Sequence, residues 1–143
     1  MTTPKLVRDI MTREVVTLYE EDSLTGVAEG MQRFRFRHLP VVDDNALVGL
    51  ITHRDLLRVA ASSLEPGNEQ KTQRLQQGVF ARDVMRRDVI TVGEETTLAE
   101  AGQLLWDKKL GCLPVVDADQ KLLGIVTEAD FVKLAVRFLK DAG

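Results

Sequence analysis

The chain has 143 residues, 44% of them hydrophobic, with 19 lysines and arginines against 22 aspartates and glutamates. That length suits one compact unit or two small ones sharing a core, and a net charge of −3 removes any general electrostatic reason to expect nucleic acid or an anionic membrane as partner. Cys112 is the only cysteine, which excludes an internal disulfide and a thiolate metal cluster.

No apolar leader precedes Leu6, and no apolar run reaches the roughly 18 residues of a membrane helix. A cytoplasmic protein is therefore expected. Residues 15–18 read as a short strand, after which Ser23 is placed to cap a helix whose Leu24, Val27, Met31 and Phe34 recur at helical spacing and which ends near Arg37. Residues 38–43 and 46–52 are apolar runs joined by an Asp-Asp-Asn turn, the mark of a hairpin, and a helix follows over 55–62.

Residues 64–78 are polar and carry a Pro-Gly breaker, so they read as a linker, with a short polar helix over 71–77. The pattern then starts again. Leu98, Ala101, Leu105 and Trp106 form the stripe of the next helix, a second hairpin follows, and the last helix is apolar on most sides. Such a helix predicts a partner subunit by a twofold contact, or else a terminal helix that leaves leucine exposed.

The restart is a duplication. Arg8-Asp9-Ile10-Met11 matches Arg82-Asp83-Val84-Met85, and Leu39-Pro40-Val41-Val42-Asp43 matches Leu113-Pro114-Val115-Val116-Asp117, at one offset of 74. Leu47-Val48-Gly49-Leu50-Ile51-Thr52-His53-Arg54-Asp55 returns as Leu122-Leu123-Gly124-Ile125-Val126-Thr127-Glu128-Ala129-Asp130, one residue later because the second turn is longer. The expected division is 1–63 for the first repeat with its lead-in, 64–78 for the linker and 79–143 for the second repeat.

Thr52 and Thr127 stand where a strand runs into a helix, each with an aspartate three positions on. Two readings fit. In one, hydroxyl and carboxylate simply cap the helix start. In the other, free N–H groups there hold a phosphate while Asp55 or Asp130 accepts from the hydroxyls of a ribose. Gly49 and Gly124 leave room for a close backbone approach or mark a bulge.

These motifs resemble a tandem pair of CBS domains, the Bateman module, and the likeness runs from about Leu6 to Phe138. The resemblance implies an α/β fold of the mixed α+β kind, two β-α-β-β-α repeats packed about a pseudo-twofold axis, binding an adenosine ligand in a cleft between them. The ligand class would be AMP, ADP or ATP, with S-adenosylmethionine or NAD ranked behind. Asp55 and Asp130 would hold ribose hydroxyls, with Thr52 and Thr127 beside the ribose-phosphate. Val16 and Ile90, with His38, Leu39, Cys112 and Leu113, would enclose the adenine.

The repeats differ in charge. Arg37, His38, His53 and Arg54 offer the first repeat cations for phosphate, whereas the second has Gly111-Cys112 and Glu128-Ala129 in those places. The main site is therefore expected at Thr52 and Asp55. Interleaved arginine and phenylalanine over 33–38 raises nucleic acid, but Phe34 falls on the helix's apolar stripe and the chain is acidic. No metal-ligand spacing and no nucleophile with an assignable base occur. A regulatory ligand-sensing module is expected rather than an enzyme, acting as a homodimer on an unidentified protein effector. The rival is a structural dimerisation module with empty clefts.

Overall fold

The computed structural model describes residues 3–63 and 79–143. The expected linker over 64–78 and its short helix lie outside the described residues. A 3-10 turn at Val7–Asp9 is followed by β1 (Leu18–Tyr19), α1 (Val27–Phe34), β2 (His38–Asp43), β3 (Ala46–Thr52) and α2 (His53–Ser63). After the gap come α3 (Ala81–Val84), α4 (Leu98–Lys108), β4 (Cys112–Val116), β5 (Leu122–Thr127) and α5 (Glu128–Ala142).

Both hairpins form as the alternation and turn residues require. β2 pairs antiparallel with β3, and Asp44 and Asn45 take the left-handed conformation, with φ of 49° and 65°, that a two-residue hairpin turn needs. β1 lies parallel against β2. β4 and β5 pair likewise, and the longer turn is tied by Asp117, whose Oδ1 accepts from the Asp119 and Lys121 N–H groups at 2.9 Å each. The register shifts at the same place in each hairpin, between Val41 and Val42 and between Val115 and Val116.

The compact units do not follow the division at 63 and 79. One unit comprises Met1–Val15 with Ile90–Gly143, and the other comprises Val16–Val89. Each repeat gives its lead-in to the other repeat's sheet. Thr12 exchanges two 2.9 Å backbone bonds with Ile125 on β5, and Arg86 exchanges two 2.9 Å bonds with Leu50 on β3. Val7 is consequently buried with Leu98, Ala101, Leu113 and Val126, while Ala81 and Met85 are buried with Met31, Leu39, Ile51 and Leu56. These contacts join segments far apart in sequence, which periodicity along one segment does not register.

The crossing explains the two strand glycines. A Cβ at Gly49 would lie 2.6 Å from Met85 Sδ, and one at Gly124 would overlap the carbonyl oxygen of Thr12. What approaches each glycine is the exchanged lead-in.

Several local expectations are corrected. The first helix starts at Val27 rather than after Ser23, because Gly26 takes φ of 79° and breaks the opening turn. In the second repeat, Glu100 replaces that glycine, the turn survives, and Thr97 caps α4 by accepting from the Glu100 N–H at 3.1 Å. α1 stops at Phe34, not near Arg37, with Arg35 left-handed behind it. The strand expected over 15–18 is short and later, at Leu18–Tyr19.

Phe34 and Trp106, assigned to apolar stripes, are instead 69% and 81% exposed. The rest of each stripe does face the core: Leu24 and Met31 in the first repeat, and Leu98, Ala101 and Leu105 in α4, are buried. Phe131 and Leu134 of α5 pack on one core, whereas Val132, Val136, Phe138 and Leu139 face outward. Among the described residues no helix is long and apolar enough to cross a membrane.

Candidate functional site at the Thr-x-x-Asp helix starts

In the unit Val16–Val89, β3 ends at Thr52 and α2 begins at the next residue. His38 lies opposite Thr52 in the hairpin, and the His53 N–H donates to the Arg37 carbonyl at 2.8 Å, so Arg37, His38, Thr52, His53 and Asp55 gather at the open end of the hairpin. The parallel alignment of Leu18 with Val41 carries Val16, 57% exposed, toward the same end. Arg37 and Arg54 are exposed, and His38 and His53 are half-buried.

Here Thr52 and Asp55 form a complete capping box. The Thr52 N–H donates to Asp55 Oδ2 at 3.0 Å and the Thr52 hydroxyl to the same oxygen at 2.9 Å, while the Asp55 N–H donates to Thr52 Oγ1 at 3.2 Å. With His53 bonded to Arg37, Arg54 carries the only N–H of the first three in α2 that these bonds leave over. The phosphate cradle expected from spacing is thus mostly occupied by the protein itself.

The second oxygen of Asp55 is engaged too. Arg86 donates to Oδ1 through Nε at 3.2 Å and Nη2 at 3.0 Å. Burial pushes this carboxyl's pKa up, but the Thr52 N–H, the Arg86 guanidinium and the Thr52 hydroxyl outweigh it and hold the pKa below the usual carboxylate value. A carboxylate offers about four lone-pair positions. On Asp55 two donors reach each oxygen.

The other unit repeats the geometry with one difference. Cys112 lies opposite Thr127, and the Glu128 N–H donates to the Gly111 carbonyl at 3.0 Å. Asp130 Oδ2 accepts from the Thr127 N–H at 2.8 Å and the Thr127 hydroxyl at 3.2 Å. Among the described residues nothing donates to Asp130 Oδ1, and Asp130 is only half-buried. The position equivalent to Arg86 is Thr12, one residue past the Met of the lead-in motif in each repeat. The repeat alignment, carried one residue beyond Met11 and Met85, contains that signal.

Leu39, Cys112 and Leu113 are 1%, 4% and 0% exposed. Leu39 and Leu113 are members of the two core clusters. Burial pushes the Cys112 thiol up to about 12, so it stays protonated. Val92 pairs in parallel with Val115, which carries Ile90, 37% exposed, toward Leu113 and the mouth.

Arg8-Asp9 and Arg82-Asp83 are local caps: Asp9 Oδ2 accepts from the Lys5 and Leu6 N–H groups, and Asp83 Oδ2 from Phe80. An open depression of about 740 Å³ on the Ile90–Gly143 unit is lined by Thr91, Gly93, Glu100, Asp107, Val116 and Asp117 among others. It lies at the far end of β4 and includes no residue assigned to ligand binding from the sequence. No group of three histidine, cysteine, aspartate or glutamate residues is placed to hold a metal ion among the described residues.

The CBS domain model matches residues 7–62 and 81–137. A CBS domain-containing protein of Dictyostelium discoideum is 30% identical over 94% of this chain and 94% of its own length. The uncharacterised protein MJ1225 of Methanocaldococcus jannaschii is 34% identical over 90% of this chain, which spans about half (46%) of that relative, and its crystal structure superimposes with a TM-score of 0.79. CBSX2, crystallised in complex with AMP, is 33% identical, with a TM-score of 0.77 over 93% of this chain and 97% of its own. The duplicated hairpin with its Thr-x-x-Asp helix start is thus a CBS repeat, and the chain belongs to the CBS-domain family as a tandem pair.

Proposed function

We propose that the chain is a regulatory module that binds an adenine nucleotide of the AMP, ADP or ATP class at a Thr-x-x-Asp helix start. The observation that carries this reading is the half-filled carboxylate of Asp130, with two local donors on Oδ2 and, among the described residues, none on Oδ1. An oxygen of that kind accepts a ribose hydroxyl, Thr127 stands beside it, and exposed Ile90 offers an apolar face to a base. The AMP complex of CBSX2, similar over nearly the full length of both chains, supports the ligand class.

The main site is accordingly proposed at the second repeat, not the first. At the first repeat, Arg37 and Arg54, with Val16, His38 and His53 beside them, offer the more cationic surroundings, but Asp55 already has its donors. A nucleotide signals by favouring the arrangement that binds it best, shifting conformation or partner affinity. The proposed setting is cytoplasmic, with a second copy of the chain and a protein effector as partners.

A structural dimerisation module is the second reading, favoured by the outward apolar face of α5, where Val132 is 62% and Leu139 72% exposed. Thermal denaturation with AMP, ADP, ATP, S-adenosylmethionine and NAD at millimolar concentration separates the two. A ligand at 100 times its dissociation constant adds about 2.7 kcal/mol. Stabilisation by an adenine nucleotide that Asp130→Ala removes supports the sensor, and no shift from any of the five supports the dimerisation module.

A further inference from the structure

We propose that Arg86 is the residue that decides which repeat takes the nucleotide, closing Asp55 with its guanidinium and leaving Asp130 as the ligand carboxylate. This inference rests on the nucleotide reading above and assigns the difference between the two repeats to one position. The helix starts are otherwise built alike: the same hairpin pairing, the same bond from the helix's first N–H to the chain ahead of the hairpin, and the same two donors from threonine to Oδ2. The exchanged lead-ins are also bonded alike, Arg86 to Leu50 and Thr12 to Ile125. Only the side chain they deliver differs.

Arginine at that place reaches Asp55 Oδ1 with two charge-assisted bonds, at 3.0 and 3.2 Å. A ribose diol approaching Asp55 has to remove the guanidinium first, uncovering a carboxylate that is only 7% exposed. Removal requires no backbone change, because the Arg86 side chain is 55% exposed and has solvent to swing into. The gate is therefore a side-chain gate, and it raises the dissociation constant at the first repeat by about tenfold or more. Threonine at position 12 lacks the length and the charge to do the same to Asp130.

The test exchanges the two residues and counts sites by calorimetry with AMP. Wild type is expected to bind one AMP, lost in Asp130→Ala and kept in Asp55→Ala. Arg86→Thr is expected to bind two, the second lost again in Arg86→Thr/Asp55→Ala. Thr12→Arg is expected to weaken wild-type binding at least tenfold, with circular dichroism and a cooperative melt showing each variant folded.

One site in both wild type and Arg86→Thr, lost in Asp130→Ala, would keep the nucleotide reading and overturn the gate. Weaker binding at Asp55 after Arg86→Thr would make the guanidinium a phosphate partner and also overturn it. Absence of AMP binding in every folded variant would overturn the nucleotide reading and the gate together.

Discussion

Replacing Gly124 with alanine tests the exchange of lead-ins directly, and Gly49→Ala is its internal control. At Gly124 the new methyl meets the backbone oxygen of Thr12 and stands 3.2 Å from Met11 Cε. That oxygen accepts the Ile125 N–H at 2.9 Å, so the lead-in has to lift and weaken both bonds it shares with β5. Two backbone bonds contribute about 1 kcal/mol each, and overpacking adds about 1–3 kcal/mol. The stiffer unfolded chain returns about 0.4–1 kcal/mol. The expected loss is about 2–4 kcal/mol, which at about 2.1 cal/mol/K per residue lowers Tm by roughly 7–13 °C.

At Gly49 the methyl meets side-chain atoms only, Met85 Sδ, Cγ and Cβ at 2.6, 2.9 and 3.0 Å, so the methionine has to repack but no backbone bond is strained directly, and the expected loss is about 1–2 kcal/mol. Urea titration of both variants, followed by circular dichroism, measures the difference. A Gly124→Ala protein within 0.5 kcal/mol of wild type, or less destabilised than Gly49→Ala, would refute the exchanged packing.

Three further outcomes follow from the site and the surface. Asp55 holds its carboxyl below the usual value, so the stability it contributes is present above the unfolded pKa of about 3.9 and is lost as pH falls through the lower folded value. Asp55→Asn should flatten that acid limb in pH-dependent denaturation, and an unchanged limb would assign the acid sensitivity elsewhere. Cys112, raised to about 12 by burial, should resist a thiol reagent at pH 8 in the folded state and react on unfolding. Its contribution to stability is full below the unfolded thiol pKa and declines as pH rises toward 12, so Cys112→Ser should soften the alkaline limb. Val132→Ser/Leu139→Ser should alter monomer stability by less than about 1 kcal/mol, because both side chains face outward, yet reduce the sedimentation coefficient if two copies pair through α5.

The hairpins, the turn residues and the two Thr-x-x-Asp helix starts were legible because each depends on residues a few positions apart. Asp44-Asn45 and the alternation around it specify a turn and a register within one segment. The exchanged lead-ins were not legible, since the contact of Thr12 with Ile125 or Arg86 with Leu50 leaves only a glycine on the strand as its local trace. Gly49 and Gly124 fit a close approach or a bulge, and spacing does not say which, or what approaches.

Phe34 and Trp106 show a different limit. A helix stripe read from hydrophobicity alone accepts any large apolar residue near the right angle, whereas the core accepts those that fit, here Met31 and Leu105. At the site, cations near the motif favour the first repeat, but their number along the segment does not say which of them are engaged. Arg86, the cation that does engage the motif aspartate, comes from the other repeat's lead-in, 31 residues further along the chain.

The most direct test of nucleotide binding at the second repeat is a crystal structure of the chain grown with AMP. The account predicts ribose hydroxyls on Asp130 Oδ1, with Arg86 still paired to Asp55. A nucleotide whose ribose sits on Asp55, or one lodged in the depression lined by Glu100 and Asp107, would contradict it.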